Sequence, residues 1–259
     1  MDLPFQLIAG LAAVAFVAGF IDALAGGGGL LTLPALLAAG IPPVSAIATN
    51  KLQSSCGTGG AFLAFARKGH IDFRRFRVPA LCVFLGSALG AYVLQSVDSS
   101  FLSALMPLLL VAMALYFLLA PRMSEEDRHA RLGPVALLLL LAAIGFYDGF
   151  FGPGTGSFFT TALVALAGLG LVRAIAHAKF LNFASNIAGL LVLIVSGKVL
   201  WILGLAMAAA SVAGNQLGAH SAMRFGGRGV RPLLVIMSLA LTARLLANPA
   251  NPLRIWLGY

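Results

Sequence analysis

Gly19-Phe20-Ile21-Asp22-Ala23-Leu24-Ala25-Gly26-Gly27-Gly28-Gly29 returns, altered, as Gly145-Phe146-Tyr147-Asp148-Gly149-Phe150-Phe151-Gly152-Pro153-Gly154-Thr155-Gly156. Both stretches lie inside long apolar sequence, and each sets an acid a few residues before a cluster of glycines. Glycines in series break a helix and expose backbone N–H and C=O groups. An acid at membrane depth is costly and marks a functional site by default. Two such features in one chain predict a binding site built from two broken helices.

Composition fixes the class around these motifs. The chain of 259 residues is 60% hydrophobic and 10% charged, with a mean hydropathy of +0.99. Its apolar runs approach the ~20 residues that cross a bilayer. The fold class is therefore an all-α integral membrane protein. The net charge of +9 sits in loops and reads as membrane topology, so no nucleic-acid partner is expected. The N-terminus lacks a basic stretch and an Ala-x-Ala site, so no removable signal peptide is expected. Cys56 and Cys82 fit no metal or redox spacing and read as packing residues. No metal, cofactor or catalytic residue is predicted.

Ten apolar segments follow, at about 5–24, 29–40, 45–66, 78–95, 101–120, 133–151, 157–168, 174–195, 199–222 and 230–247. The second segment of each half is short. At ~1.5 Å per residue a dozen helical residues cannot cross ~30 Å of hydrocarbon. These two segments are half-helices, or spans completed by irregular backbone that lines a cavity.

The halves repeat. At an offset of 128, Ala46-Ile47-Ala48-Thr49-Asn50-Lys51 matches Ala174-Ile175-Ala176-His177-Ala178-Lys179, and Gly86/Gly90 match Gly214/Gly218. Asp22 and Asp148 match at an offset of 126. The expected organisation is a first repeat over residues 1–121, a cytoplasmic linker over 122–132 and a second repeat over 133–259. The glycine pairs read as close helix packing.

Charge orients the repeats. With five crossings per half and both termini outside, the inner loops take Arg67, Lys68, Arg74, Arg75, Arg77, Arg122, Arg128, Arg131, Arg173, Arg224, Arg228 and Arg231. Only Lys198 and Arg254 remain outside. If the short segments are re-entrant, the asymmetry weakens, so the positive-inside rule prefers two inverted repeats. Inverted repeats with discontinuous helices are typical of transporters with a midplane site.

The run from Gly19 through Leu36, followed by Ala48-Thr49-Asn50-Lys51, resembles the sulfite exporter (TauE/SafE) family of membrane permeases. The resemblance covers nearly the whole chain, with Pro153, Thr155 and Ala178 departing from the pattern in the second half. It implies transport of a small sulfur-containing anion, sulfite or an organosulfonate, across a bacterial inner membrane.

Candidate site residues follow from the motifs. Gly26, Gly27, Gly28 and Gly29, with Gly152, Gly154, Thr155 and Gly156, would aim N–H groups and positive helix ends at an anion. Lys51 and Lys179 are the lysines well inside apolar sequence. They would either bind the anion or neutralise Asp22 and Asp148 as buried pairs. Thr49, Asn50, Gln53 and Ser54 surround the first lysine; His177, Asn182 and Asn186 surround the second, and His177 reads either as a proton relay or as a hydrogen-bonded core histidine. Asp22 and Asp148 are proton or coupling candidates, or else caps for the broken backbone. Asn215 and Gln216 read as interhelical glue. Export is the expected direction: an anion leaving a negative interior gains ~2.3 kcal/mol per charge per 100 mV and needs no coupled ion. On that expectation both aspartates tolerate asparagine.

The leading reading is a transporter for a small anion in a lipid bilayer. A channel, a permease for another solute and an intramembrane enzyme are the alternatives, and self-association is left open. The enzyme reading lacks any His-Glu-x-x-His or Gly-x-Ser-x-Gly signature.

Overall fold

The computed structural model describes residues 3–119 and 129–225, together with 239, 240 and 243. All of the tenth predicted segment (230–247) but 239, 240 and 243, most of the 122–132 linker, and Arg122, Arg128, Arg228, Arg231 and Arg254 lie outside the described residues. The described chain is helical throughout: α1 Phe5–Ala25, α2 Gly29–Ala38, α3 Pro43–Arg67, α4 Phe73–Leu94, α5 Ser99–Leu119, α6 Pro134–Phe150, α7 Thr155–Ala165, α8 Leu171–Val195 and α9 Trp201–Phe225. Five of these (α1, α4, α5, α8 and α9) are long and apolar enough to cross a membrane.

The breaks fall at the predicted glycines. Helix α1 stops where Gly26 turns left-handed at φ 76°, its N–H donating to Asp22 O at 2.7 Å. Helix α6 gives way to Gly152 at φ 100° and Gly154 at φ 83°, the latter capping α7. L-residues pay a steric cost at such φ values and glycine does not. The helices that follow are short, 10 residues in α2 and 11 in α7. At ~1.5 Å rise per residue each covers about half a bilayer. Gly40 and Gly168, matched in sequence, both close their short helices at positive φ.

Helix α4 begins earlier than its apolar run, because Asp72 caps it: the carboxylate accepts from Arg75 N at 3.0 Å. Arg74, Arg75 and Arg77 thus ride on the first turns of α4 rather than in a loop. Asp98, before α5, accepts from the hydroxyl and N–H of Ser100 and from Phe101 N. Those bonds hold its carboxyl below the usual range.

Packing exchanges the halves. Helix α1 lies chiefly against α9, and α6 chiefly against α4. Helix α3 packs on α8 and α9, while α8 packs on α3 and α4. The glycine pairs make the tight contacts. A Cβ on Gly214 or Gly218 would fall on the Phe16 or Phe20 carbonyl of α1; one on Gly86 or Gly90 would fall on the Ala142 or Phe146 carbonyl of α6. Each contact recurs at the sequence offset of its partner. The outer face of α4 exposes Leu81, Leu85, Leu89 and Tyr92, a surface suited to lipid chains.

Candidate functional site

The two glycine breaks touch. Ser157 N donates to Gly26 O at 3.2 Å, and a Cβ on Gly26 would fall on the Gly156–Ser157 backbone. A Cβ on Gly156 would lie 2.8 Å from Gly26 Cα. Only glycine at both positions lets the two backbones meet, and their meeting brings the N-termini of α2 and α7 to one place. Helix N-termini carry unpaired N–H groups and a partial positive charge.

A small cavity of about 20 Å³ opens at this junction. From the first half its walls include Asp22, Gly26, Gly28, Gly29, Asn50, Gln53 and Ser54. From the second they include Asp148, Gly152, Gly154, Thr155, Gly156, Asn182 and Asn186. The residues predicted from the glycine motifs and from the polar turns of α3 and α8 are thus largely gathered around one space.

Each acid meets one lysine, and each pair crosses the halves. Lys51 Nζ lies 2.8 Å from Asp148 Oδ2, and Lys179 Nζ lies 2.6 Å from Asp22 Oδ2. The lysines are almost fully buried, at 1% and 2% exposure. A buried lone ammonium would be very costly, so pairing is what permits them there. Around the first pair, Ser185 Oγ donates to Asp148 Oδ2 and Lys51 Nζ donates to Asn186 Oδ1 at 3.2 Å. Around the second, Lys179 Nζ also donates to the Asp22 backbone carbonyl, and Gly28 N donates to Asp22 Oδ1 at 3.2 Å. The aspartates therefore pair with the lysines, as the buried-pair reading had it, and Asp22 also caps the broken backbone at Gly28.

Five predicted residues stand back from the cavity lining. Lys51 and Lys179 sit behind their aspartates. Thr49 Oγ1 instead accepts from Leu200 N at 3.1 Å, tying α3 to the approach of α9. His177 Nε2 accepts from Asp72 N at 3.0 Å, and its Nδ1 pairs with Arg173 O at 2.7 Å, so the ring anchors the start of α4. Gly27 belongs to the bend and accepts from Leu30 N.

Three lining residues were not predicted as site residues: Ala18, Thr58 and Asn215. The expectation for Asn215 is interhelical glue, but its Nδ2 donates within its own helix α9, to Ser211 O at 3.1 Å. Its Oδ1 and Gln53 Oε1 are buried acceptors without a partner among the described residues. The sequence held a signal for Asn215, a polar residue midway along an apolar helix. Only the packing of α9 on α1 and α3 shows that it faces the same space as Asp22. Among the described residues no group of His, Cys, Asp and Glu is placed to hold a metal ion.

Comparison with known proteins follows the same lines. The sulfite exporter TauE/SafE family model matches residues 11–245. A "Probable membrane transporter protein ORF9" from Sinorhizobium sp is 51% identical over 259 residues, covering 100% of this chain and 99% of that one. A "Probable membrane transporter protein" of Haemophilus influenzae is 47% identical, covering 95% of this chain and 96% of its own. "Probable membrane transporter protein YfcA" of Escherichia coli K12 is 43% identical, covering 95% and 92%. No solved structure matches the chain.

Proposed function

The chain belongs to the sulfite exporter TauE/SafE family of multi-pass membrane transporters, and from that premise we propose that it carries a small sulfur-containing anion, sulfite or an organosulfonate, through the cavity at the two glycine breaks. The observation that carries this reading is the meeting of two broken helices at one polar cavity inside an apolar protein. Discontinuous helices whose N-termini point at a shared space are how transporters hold anionic groups. The N-termini of α2 and α7, with Asn50 and Asn182, supply the neutral donors.

The reciprocal packing of α1 on α9 and α6 on α4 supports two repeats related by a two-fold axis. The positive-inside rule favours placing that axis in the membrane plane, with both termini outside. Motion of one half against the other would then expose the cavity alternately.

Counterflow tests the transport class. Proteoliposomes loaded with unlabelled sulfite or methanesulfonate should transiently accumulate the labelled anion from outside. A pore would equilibrate label without accumulation, and an enzyme would change the anion chemically.

A further inference from the structure

Within the anion-carrier reading, we infer that Asp22 and Lys179 form a proton-linked anion switch, in which a proton on Asp22 frees Lys179 for the solute and each monoanion crosses with one proton. Charge balance is the first reason. The four ionised groups at the cavity form two pairs and sum to zero. Adding a monoanion to that balanced set buries one net negative charge at membrane depth, which is expensive. A proton arriving from water onto the Asp22 carboxylate restores neutrality. The carboxyl becomes uncharged, Lys179 stays an ammonium, and its partner becomes the solute.

The second reason is what holds the Asp22 carboxylate now. Its two oxygens take the Lys179 ammonium and the Gly28 N–H at the head of α2. Those are a cation and a helix-terminal donor, the pair of groups an oxyanion requires. The carboxylate already occupies an anion site, so a solute anion and Asp22 compete for the same two donors.

The third reason separates the two aspartates. The Asp22 side chain is 13% exposed and the Asp148 side chain 3%. Asp148 is locked by the Ser185 hydroxyl, and its lysine by Asn186. The positions matched to Ser185 and Asn186 in the first half are Gly57 and Thr58. Glycine offers no hydroxyl, and Thr58 Oγ1 donates to Ser54 O on its own helix. The Asp22 pair therefore lacks both locks. Helices α2, α3, α7 and α9, which pack on α1, bring no titratable side chain into hydrogen-bond range of Asp22 among the described residues; Lys179 comes from α8. Asp148 shares the cavity but stays bound to Lys51.

Methanesulfonate is the probe, because it is a permanent monoanion and cannot carry the proton itself. In proteoliposomes with an internal pH dye, its entry should acidify the lumen by one proton per anion. An imposed pH gradient should drive it uphill, and a clamped membrane potential should leave the rate unchanged. Asp22→Asn should abolish proton movement and leave any remaining anion flux sensitive to potential. Wild-type flux that follows potential without protons overturns the switch, and so does one-to-one coupling that persists in Asp22→Asn. Absence of both sulfite and methanesulfonate flux in wild type would instead overturn the carrier reading on which the switch rests.

Discussion

Lys51 on α3 holds Asp148 on α6 across the halves, Nζ to Oδ2 at 2.8 Å, with both side chains almost fully buried. Removing one partner of such a pair strands a buried charge, which costs ~3–5 kcal/mol. Lys51→Met and Asp148→Asn are thus expected to lower the melting temperature in detergent sharply. The double variant Lys51→Met/Asp148→Leu should recover much of the loss. Equal loss in the single and double variants would show that the pair is not what fixes stability there.

Lys179 differs because its partner is partly open to the cavity. An aspartate left behind by Lys179→Met can take up a proton from that space, so folding should survive. Transport should not, because the cation of the anion site is gone. Sulfite counterflow by folded Lys179→Met protein at the wild-type rate would remove this lysine from the mechanism.

The interhelical glycines make a graded prediction. Gly90→Ala sets a methyl on the Phe146 carbonyl and Gly218→Ala sets one on the Phe20 carbonyl, whereas a methyl on Gly10 meets nothing within 4 Å. Overpacking of this kind costs ~1–3 kcal/mol. Melting temperatures should fall for the first two variants and hold or rise for Gly10→Ala.

His177, read as a candidate beside the solute or as a hydrogen-bonded core histidine, is found in the second role, tying Asp72 to α8. His177→Ala should therefore lower stability by ~1–2 kcal/mol through the lost hydrogen bond and contacts. Its anion affinity in a competition assay should match the wild type. A tenfold weaker affinity would return this histidine to the binding site.

Much of this site is legible in the sequence, because backbone breaks and buried charges both leave strong local marks. Gly26, Gly152 and Gly154 adopt the positive φ that glycine clusters invite. The polar turns around Lys51 and Lys179 supply walls of the cavity. Which lysine meets which aspartate is not legible: the pairing depends on α1 lying against α9 and α6 against α4, and no local pattern encodes that. Thr49, and His177 in its solute-lining reading, misled for a related reason. Each sits among true lining residues in sequence, but a helix turns ~100° per residue, and their faces point to other partners. The expectation of uncoupled export counted the potential acting on an anion alone. It did not include the two aspartates already holding the two cations, and that pairing is why proton coupling replaces it as the proposal.

The most direct test of the cavity as the transport path uses Ser54, a half-buried lining residue on α3. With Cys56 and Cys82 first replaced by serine, Ser54→Cys gives one thiol in the cavity wall. Treatment with a methanethiosulfonate reagent should abolish anion counterflow, and excess methanesulfonate should slow the modification. The same treatment of Leu89→Cys, on the exposed face of α4, should leave counterflow intact. Fully modified Ser54→Cys protein that still exchanges anion at the unmodified rate would contradict the account, because the solute would then be crossing somewhere else.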